Sequence, residues 1–321
     1  MSDDLAPSIL KTDSIGHLDQ TRSPRNSFHQ FRHQFLPSLK ADLHSHSHYS
    51  DGKHAPRFLR DRALELGLTH LAITDHDCLA ALDELESTPE LSIVPGLEIS
   101  CQWQQREIHV VGLCVARNNP ALQQLVANQQ ARRRERLQAM ALRLEKLGIQ
   151  GLTDYLSELP CHAQTRTHVA DFLVGAGYCK NHQKAFKQYL GKRGKIHVPA
   201  SWCDLADAVA AIRGADGIAV LAHPGRYPLS RGKLGELVSD FVAVGGEALE
   251  VSYSNIDPTS RRQLTTLALE TGLWTSQGSD FHDQAAHWTD LGKFPDPGPD
   301  AKKNAIWLHP RWHSSDQTFP V

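Results

Sequence analysis

The sequence is poor in cysteine and has no long apolar run. Its six cysteines are spread over 321 residues without a CxxC pair, which argues against a disulfide framework and against a zinc site built on thiolates. No apolar stretch approaches the roughly 18 residues of a membrane-spanning helix, and the start Met-Ser-Asp-Asp lacks the basic and apolar regions of a signal peptide. We therefore expect a cytoplasmic protein with ordinary buried thiols and no membrane partner.

Three sequence signatures of phosphate and ester chemistry are also absent. The chain contains no GxxxxGKS phosphate loop, no GxGxxG turn and no motif around a nucleophilic Ser or Cys. These absences fit a chemistry in which the protein supplies no nucleophile. The hydrophobic share of 40% can still fill the core of one large α/β domain or of two small ones.

The most informative segment that is present runs from Asp42 to Gly52 and holds three candidate metal ligands. His44 and His46 are one residue apart, behind a stretch that is typical of a strand, and Asp51 follows five residues later. Because side chains at i and i+2 of a strand point to the same face, the two histidines can ligate one cation while Asp51, past the turn, reaches a second. Two surface histidines placed by chance remain a simpler interpretation of this segment alone.

The rest of the chain repeats this pattern, because nearly every apolar run ends in a residue of metal-ligand type. These residues are His76, Glu98, His109, His223, Asp280 and His282, which follow or lie within the runs 71–73, 93–97, 107–113, 217–222 and 273–278. A single buried histidine is more often a satisfied core residue than a ligand. Six strand ends with His, Asp or Glu are difficult to explain that way, because burying an ionisable group costs several kcal/mol unless a metal or a partner compensates.

Strand-like and helix-like segments alternate along the chain after a polar start. Residues 1–38 lack a sustained apolar pattern, so we expect a flexible tail there. Strand candidates lie at about 40–46, 70–74, 92–98, 107–114, 217–222, 248–252 and 274–278, and helix candidates at 56–66, 205–213 and 258–271, each followed by glycine. This alternation predicts an α/β fold, a parallel barrel with its site at the C-terminal ends of the strands.

One region of about 100 residues departs from the alternation and has a helical pattern, beginning with 121–147. Residues 117–200 carry 14 Lys and Arg against 5 Asp and Glu, a net charge of +9, and the remaining residues carry 20 against 31, a net charge of −11. A solvated helical face is one explanation, and the run 132–136 alone could be that. The alternative is an inserted basic cap, residues 117–200, that holds further phosphates over an acidic metal site formed by 39–116 and 201–321.

Taken in order, the candidate segments resemble a known family. They are similar, in the same order, to segments of the polymerase and histidinol phosphatase (PHP) superfamily. The segments are DLHSHS with SDG, TDH, GLEIS, the strand with His109, AHPGRY and GSDFH. The resemblance implies a distorted seven-stranded barrel and up to three metal ions. Within the superfamily, the chain resembles the bacterial group that dephosphorylates nucleoside 3′,5′-bisphosphates and acts as a 5′ to 3′ exoribonuclease on short RNA and ribosomal RNA 5′ ends. The similarity runs from about 40 to 292 and includes RTH at 166–168 and YLGK at 189–192.

The resemblance implies nine metal ligands, and the sequence has all of them. They are His44, His46, Asp51, His76, Glu98, His109, His223, Asp280 and His282. By the same resemblance one ion is held by His44, His46, Glu98 and Asp280, a second by Glu98, His109 and His223, and a third by Asp51, His76 and His282. Glu98, Asp280 and His223 are expected to take the closest part in catalysis. Imidazole and carboxylate ligands without sulfur suit manganese first, then iron, zinc or magnesium, and we expect two to three ions per chain.

One bond accounts for both implied activities. In a nucleoside 3′,5′-bisphosphate and at a 5′-phosphorylated RNA end, water attacks the phosphorus on O3′ of a nucleotide that carries a 5′-phosphate, and neighbouring divalent ions can assist this attack. Arg166 is the first candidate for the 5′-phosphate, because a guanidinium binds phosphate oxygens bidentately. His168, Lys195 and Arg226 are weaker candidates, for which a structural role is equally reasonable. Asp75 could orient a ligand or cap the turn after its strand.

Two other functions stay open at this point. One is a phosphomonoesterase for a different small substrate, such as histidinol phosphate, which would share the barrel without needing the basic insert. The other is a metal-binding or RNA-binding module with decayed catalysis, against which the complete ligand set argues. No protein partner is evident from the sequence.

Overall fold

The computed structural model describes residues 39–286 and 289–312, so the tail expected at residues 1–38 lies outside the described residues. The strands are β1 (Ala41–Asp42), β2 (His70–Leu71), β3 (Ser92–Ile93), β4 (Gly96–Trp103), β5 (Arg106–Leu113), β6 (Cys203–Asp204), β7 (Ile218–Leu221), β8 (Ala248–Tyr253) and β9 (Trp274–Gly278). The helices are α1 (Pro56–Glu65), α2 (Pro120–Glu145), α3 (Leu152–Ser157), α4 (Arg166–Gly175), α5 (His182–Ala185), α6 (Leu205–Gly214), α7 (Arg231–Ala243), α8 (Pro258–Glu270) and α9 (Pro299–Lys303). The chain is therefore of the α/β class.

The three predicted helices agree with α1, α6 and α8 to within one residue at each end. Pro56 and Pro258 occupy the first turns of α1 and α8, where the missing N–H has no intrahelical partner to lose. Gly67 follows α1 with a φ of 66°, the left-handed conformation that ends many helices. Among the described residues no helix is both long enough and apolar enough to cross a membrane.

The strands form two sheets whose edges are joined by backbone hydrogen bonds. The first sheet has the order β1-β2-β3 and the second has the order β6-β4-β5-β7-β8-β9. The Leu43 N–H donates to the Gln277 carbonyl at 3.2 Å, which brings the end of β1 beside β9. The Glu98 N–H donates to the Asp75 carbonyl at 3.1 Å, which brings the segment after β2 beside β4. The residues that follow β1, β2 and β9 therefore meet near β4.

The prediction of an entirely parallel arrangement is wrong at β5. This strand is antiparallel to β4 and to β7. Gln104 and Gln105 join β4 to β5 with φ angles of 47° and 61°, as the tight turn of a β-hairpin requires. The two predicted strands are too close in sequence for a parallel crossover, which needs about a dozen residues or more. The short strand β6, which pairs with β4, was not predicted.

The apolar side chains form separate clusters. One lies between the larger sheet and helices α6, α7 and α8, and includes Leu97, Ile212 and Phe241. Another lies within residues 137–196, between the second half of α2, α3, α4 and the segment that follows them. Helix α2 contributes Leu122 to the first cluster and Leu144 to the second. The predicted helical insert thus has an apolar cluster of its own, and α2 connects it to the sheet.

Two glycines allow the first ligand segment to pass close to its neighbours. A Cβ atom on Gly278, at the end of β9, would lie 2.3 Å from the Cβ of His44. A Cβ atom on Gly52 would lie 2.1 Å from the carbonyl oxygen of His46. Side chains at either position would therefore displace the backbone that carries the two histidines.

Candidate metal centre

One buried carboxylate, that of Glu98 in β4, lies at the centre of the candidate ligands. Its two oxygens face five imidazole rings. The shortest nitrogen-to-oxygen distances are 3.4 Å for His44, 3.3 Å for His46, 2.9 Å for His76, 3.0 Å for His109 and 3.0 Å for His223. A carboxylate offers about four lone-pair positions. Glu98 alone therefore cannot satisfy all the rings around it.

Two further carboxylates, Asp51 and Asp280, complete the cluster. The Asp280 Oδ1 atom lies 3.2 Å from Nε2 of His46 and 3.5 Å from Nε2 of His44. The Asp51 Oδ1 atom lies 3.3 Å from Nε2 of His282 and 3.8 Å from Nε2 of His76. The structure thus brings all nine predicted ligand residues together.

Three subsets of these residues could each hold an ion, since their ligand atoms lie within 4.8 Å of one another. The subsets are His44, His46 and Glu98; His76, Glu98 and His109; and His46, Asp51, His76 and His282. They differ in part from the sets that the family resemblance implies. His46, His76 and Glu98 each belong to two subsets, whereas Asp280 and His223 fall outside all three.

Several donor atoms of the cluster are available to a cation. Among the described residues, the buried atoms without a hydrogen bond include His44 Nε2, His46 Nε2, Asp51 Oδ1, His76 Nδ1 and Glu98 Oε2. Leaving buried polar atoms unsatisfied costs about 1–3 kcal/mol each, and divalent ions held by these subsets would satisfy them. Imidazole nitrogens and carboxylate oxygens are suitable ligands for manganese, iron and zinc. The residues therefore fit a centre for divalent metal.

At Glu98 and His46, burial and neighbouring charges favour the protonation states that metal binding needs, whereas, despite burial, nearby carboxylates raise the pKa values of His44, His109 and His282 above the usual range. Burial alone would raise the pKa of Glu98, but His109 and His76 outweigh it and hold that pKa well below its usual range. Burial lowers the pKa of His46 to about 3. Glu98 is thus an anion and His46 a neutral ring with a lone pair to offer.

Three residues of the centre have left-handed backbone conformations. The φ angles are 30° for His223, 52° for Asp280 and 42° for Asp77, which follows His76. Such conformations cost on the order of 1–3 kcal/mol in residues other than glycine and persist where the surroundings fix them. The strain lies where the chain leaves a strand and presents a ligand.

Glu250 in β8 contacts two of the predicted ligands but was missed by the sequence analysis. Its Oε1 atom lies 3.1 Å from Nδ1 of His44, and its Oε2 atom accepts a hydrogen bond of 2.6 Å from the His223 N–H. A carboxylate on the outer ring nitrogen of a ligand histidine fixes the tautomer and leaves the other nitrogen for the metal. The available signal was an acidic residue inside the fully buried strand β8.

Asp75 holds the turn between the first ligands. Its carboxylate accepts hydrogen bonds from the Ser47 N–H at 2.7 Å and from the Ser47 and Ser50 hydroxyls at 2.5 and 2.6 Å. The Ser50 Oγ atom in turn lies 3.3 Å from Nδ1 of His46. Asp75 therefore fixes the turn directly and orients His46 through Ser50.

The insert contacts the candidate metal ligand Asp51 through the start of α4. The hydroxyls of Thr165 and Thr167 donate to Oδ2 of Asp51 at 3.1 and 3.3 Å. His168 was a candidate for phosphate binding, but it is buried and its Nδ1 accepts a hydrogen bond of 2.9 Å from the Thr165 N–H. Burial also lowers its pKa. The structure gives His168 the role of holding the helix start, because a neutral, engaged ring has little to offer a phosphate.

The other three phosphate candidates occupy different environments. The guanidinium of Arg226 pairs with Asp280, so this residue lies at the metal ligands. Arg166 lines a cavity beside the cluster. Lys195 is exposed, its Nζ lies 5.4 Å from the ring centre of Tyr189, and it does not line that cavity.

This cavity, of about 100 Å³, is lined both by candidate metal ligands and by residues of the insert. Its lining includes the candidate ligands Asp51, His76 and His109, and also Glu107, Arg133, Arg136, Arg166, Phe186 and Trp202. The indole N–H of Trp202 is buried and has no hydrogen-bond partner among the described residues. The cavity therefore presents guanidinium groups and a free N–H together with residues of a metal-type cluster, which suits an anion with two charged ends.

The chain is similar to known proteins over most of its length. The PHP domain family matches residues 42–194. The chain is 43% identical over 258 residues to the 5′-3′ exoribonuclease Rnm of Escherichia coli strain K12, which covers 78% of this chain and 88% of the relative. It is 37% identical over 265 residues to the 3′,5′-nucleoside bisphosphate phosphatase of Chromobacterium violaceum, which covers 80% of this chain and 92% of the relative.

A solved structure is also similar over most of the chain. It is the structure of an amidohydrolase from Chromobacterium violaceum with bound sulfate and no metal. The TM-score is 0.79 at 34% identity, and the match covers 86% of this chain and 96% of that chain. Both the sequence and the fold are thus similar to known proteins over more than three quarters of the chain.

Proposed function

This chain belongs to the PHP domain family and is a metal-dependent phosphoesterase, and we propose that it hydrolyses the phosphate on O3′ of nucleotides that carry a 5′-phosphate. A nucleoside 3′,5′-bisphosphate would give a 5′-mononucleotide, and a 5′-phosphorylated RNA would be shortened from its 5′ end. The observation that carries the proposal is one cavity that is lined both by metal-type ligands and by arginines. The names of the two relatives support the same pair of substrates.

The nine residues around Glu98 are proposed to hold two to three divalent ions, manganese first and iron, zinc or magnesium as alternatives. Bound ions would screen the phosphate charge and make water a better nucleophile. The protein's own part is to fix the ligands. Glu98 holds the histidines by charge, His223 contacts Glu98 at 3.0 Å, and Asp280 pairs with Arg226 at the edge of the cluster.

Arg166 is proposed to bind the 5′-phosphate, together with Arg136. Both guanidiniums face the carboxylate of Glu107, at 3.6 Å from Arg166 and 3.9 Å from Arg136. Burial, and then repulsion by Arg166, lower the pKa of Arg136 to about 10, so the side chain is still charged at neutral pH. Two cations that share one carboxylate in a partly desolvated cavity have positive charge left for a phosphate.

Residues 117–200 are proposed to act as a cap over a distorted seven-stranded barrel formed by 39–116 and 201–321. Seven strands result if β3 and β4 count as one interrupted strand and the short β6 is left out. The separate apolar cluster of the insert, its contacts with Asp51 and its excess of positive charge support this division. Nucleotide and RNA substrates are consistent with the expected cytoplasmic location.

The proposal is tested with the purified protein, manganese and four substrates. These are adenosine 3′,5′-bisphosphate, adenosine 3′-monophosphate, histidinol phosphate and a 5′-phosphorylated RNA oligomer. We expect AMP and phosphate from the bisphosphate, 5′-mononucleotides from the RNA, and slow turnover of the other two. Turnover of histidinol phosphate alone would show a different phosphomonoesterase. Metal binding without any turnover would point to a module with decayed catalysis.

A further inference from the structure

The carboxylate of Glu107 lines the cavity, but it is neither one of the nine candidate metal ligands nor one of the arginines proposed to bind the 5′-phosphate. It lies in β5 two residues before His109, so both side chains point to the same face of the strand. Its Oε1 atom lies 3.7 Å from Nε2 of His109. Its Oε2 atom faces Arg166 and Arg136. The carboxylate therefore lies between the metal ligands and the arginine pair.

A negative charge in this place is unfavourable for phosphate unless the substrate offers it a hydrogen-bond donor. Glu107 would repel both phosphates of a bisphosphate, since an ionised carboxylate can only accept hydrogen bonds. The part of the substrate between the two phosphates is the ribose. Because O3′ and O5′ are both esterified, the 2′-hydroxyl is the donor that the ribose has left. A carboxylate that receives a ribose hydroxyl is also how many dinucleotide sites recognise the sugar.

We propose that Glu107 accepts a hydrogen bond from the 2′-hydroxyl of the nucleotide in the cavity and so makes the site selective for ribonucleotides over 2′-deoxyribonucleotides. This inference rests on the proposed function, since it needs one phosphate at the metal ligands and the other at Arg166. It names the sugar that the same site accepts.

The contacts of Glu107 in the free protein suit this role. Distances of 3.6 and 3.9 Å to the two arginines are charge contacts longer than a direct hydrogen bond. The arginines can therefore orient the carboxylate while their own donors stay available to a phosphate. A 2′-deoxynucleotide would leave the oriented acceptor without a partner in a partly desolvated cavity. Sites built to bond a hydroxyl reject analogues that lack it more strongly than apolar pockets do.

The experiment compares adenosine 3′,5′-bisphosphate with its 2′-deoxy analogue on the manganese-loaded full chain. We expect kcat/KM for the ribonucleotide to be higher by about tenfold to hundredfold in the unaltered protein. Glu107→Ala should bring the ratio of the two values close to one, mainly by loss on the ribonucleotide. Glu107→Gln keeps an acceptor oxygen without the charge, so its ratio should lie between the two. Glu145→Ala, an exposed glutamate on α2, is the matched control and should leave the ratio unchanged.

Binding provides a second measurement that does not depend on turnover. The dissociation constants of AMP and 2′-deoxy-AMP, measured by calorimetry, should differ in the unaltered protein and converge in Glu107→Ala. Equal kcat/KM values for the two bisphosphates in the unaltered protein would overturn the inference and leave the proposed function in place. An equal proportional loss on both substrates in Glu107→Ala would overturn it too, because Glu107 would then be structural. Failure of the unaltered protein to hydrolyse either bisphosphate would instead remove the proposed function.

Discussion

At the scale of single residues, the centre depends on carboxylates that orient histidines. Glu250 contacts the outer nitrogen of His44 and the backbone N–H of His223. It acts on two candidate ligands without being one, and its role is therefore to fix a tautomer and a backbone position.

Replacing Glu250 with Gln should weaken metal binding by about 10- to 100-fold. The side-chain amide can point its NH₂ group toward Nδ1 of His44, so the tautomer of His44 would no longer be fixed. Manganese affinity is measured by equilibrium dialysis with a competing chelator. Glu270→Gln, the same change at the exposed end of α8, should bind manganese as the unaltered protein does. Equal affinity in both variants would leave Glu250 with no part in holding the ligands.

Replacing Glu98 with Gln is expected to be more damaging. The change removes the anion that faces five imidazoles, so metal content and kcat should both fall, kcat on the order of 100-fold or more. Metal analysis after gel filtration and a turnover assay with adenosine 3′,5′-bisphosphate check this. A Glu98→Gln protein with full metal content and normal turnover would show that Glu98 is not central.

All nine candidate ligands could be named from the sequence, because each lies in a strand or in the segment that follows one. It was not sufficient for Glu250, which belongs to the interior of β8, where acidic residues are normally excluded and no spacing identifies a partner. The contacts of Thr165 and Thr167 with Asp51 could not be predicted from the sequence for a related reason. They join residues more than 100 positions apart, and hydroxyl side chains are common in any loop.

At the scale of elements, helix α2 connects the insert to the loop that carries His76. Arg133, near the middle of this helix, is buried and donates from Nε and Nη2 to Oδ2 of Asp77 at 2.8 and 2.6 Å. It also donates to the Ser100 hydroxyl at 2.8 Å. Asp77 has a left-handed backbone and no exposed surface. Arg133 thus neutralises a buried charge that adjoins a candidate ligand.

Replacing Arg133 with Ala should lower the free energy of unfolding by about 3–5 kcal/mol, because Asp77 would remain buried without its partner. Arg134→Ala is the matched control, since Arg134 is exposed on the same helix, and it should change stability by no more than about 0.5 kcal/mol. Urea unfolding followed by circular dichroism measures both. Equal stability of the two variants would mean that the Arg133 to Asp77 pair contributes nothing.

Helices were predicted well, because residues at their ends mark them in the sequence. Strands were predicted poorly where their direction or existence depends on pairing with another strand. Helices α1 and α8 begin at proline, and a glycine lies at or shortly after the end of α1, α6 and α8, so all three were found almost to the residue. The direction of β5 depends on a hairpin turn at two glutamines, which are not typical residues for positive φ angles. The strand β6 is two residues long and exists through its pairing with β4. Neither could be inferred from hydrophobic alternation.

At the scale of the whole molecule, charge is divided between two regions. The insert of residues 117–200 carries a net charge of +9, and the rest of the chain carries −11. The acidic part supplies the candidate metal ligands, and the insert supplies Arg136 and Arg166 to the same cavity. The proposed function therefore assigns phosphate binding to the insert and metal binding to the rest of the chain, and predicts that the two can be perturbed independently.

Replacing Arg166 with Ala tests that separation. For adenosine 3′,5′-bisphosphate, kcat/KM should fall about tenfold to hundredfold or more, which corresponds to roughly 1.5–3 kcal/mol for a lost charged hydrogen bond. Adenosine 3′-monophosphate lacks the 5′-phosphate, so it should be a poor substrate for both proteins, and its kcat/KM should change little.

Manganese content should stay the same, because Arg166 contacts none of the nine candidate ligands by an ion pair among the described residues. Arg193→Ala, an exposed arginine of the same insert, should leave both substrates unaffected. If Arg166→Ala lowers turnover of the two substrates by the same factor, the guanidinium does not bind the 5′-phosphate, and the positive charge of the insert is better explained as a solvated surface.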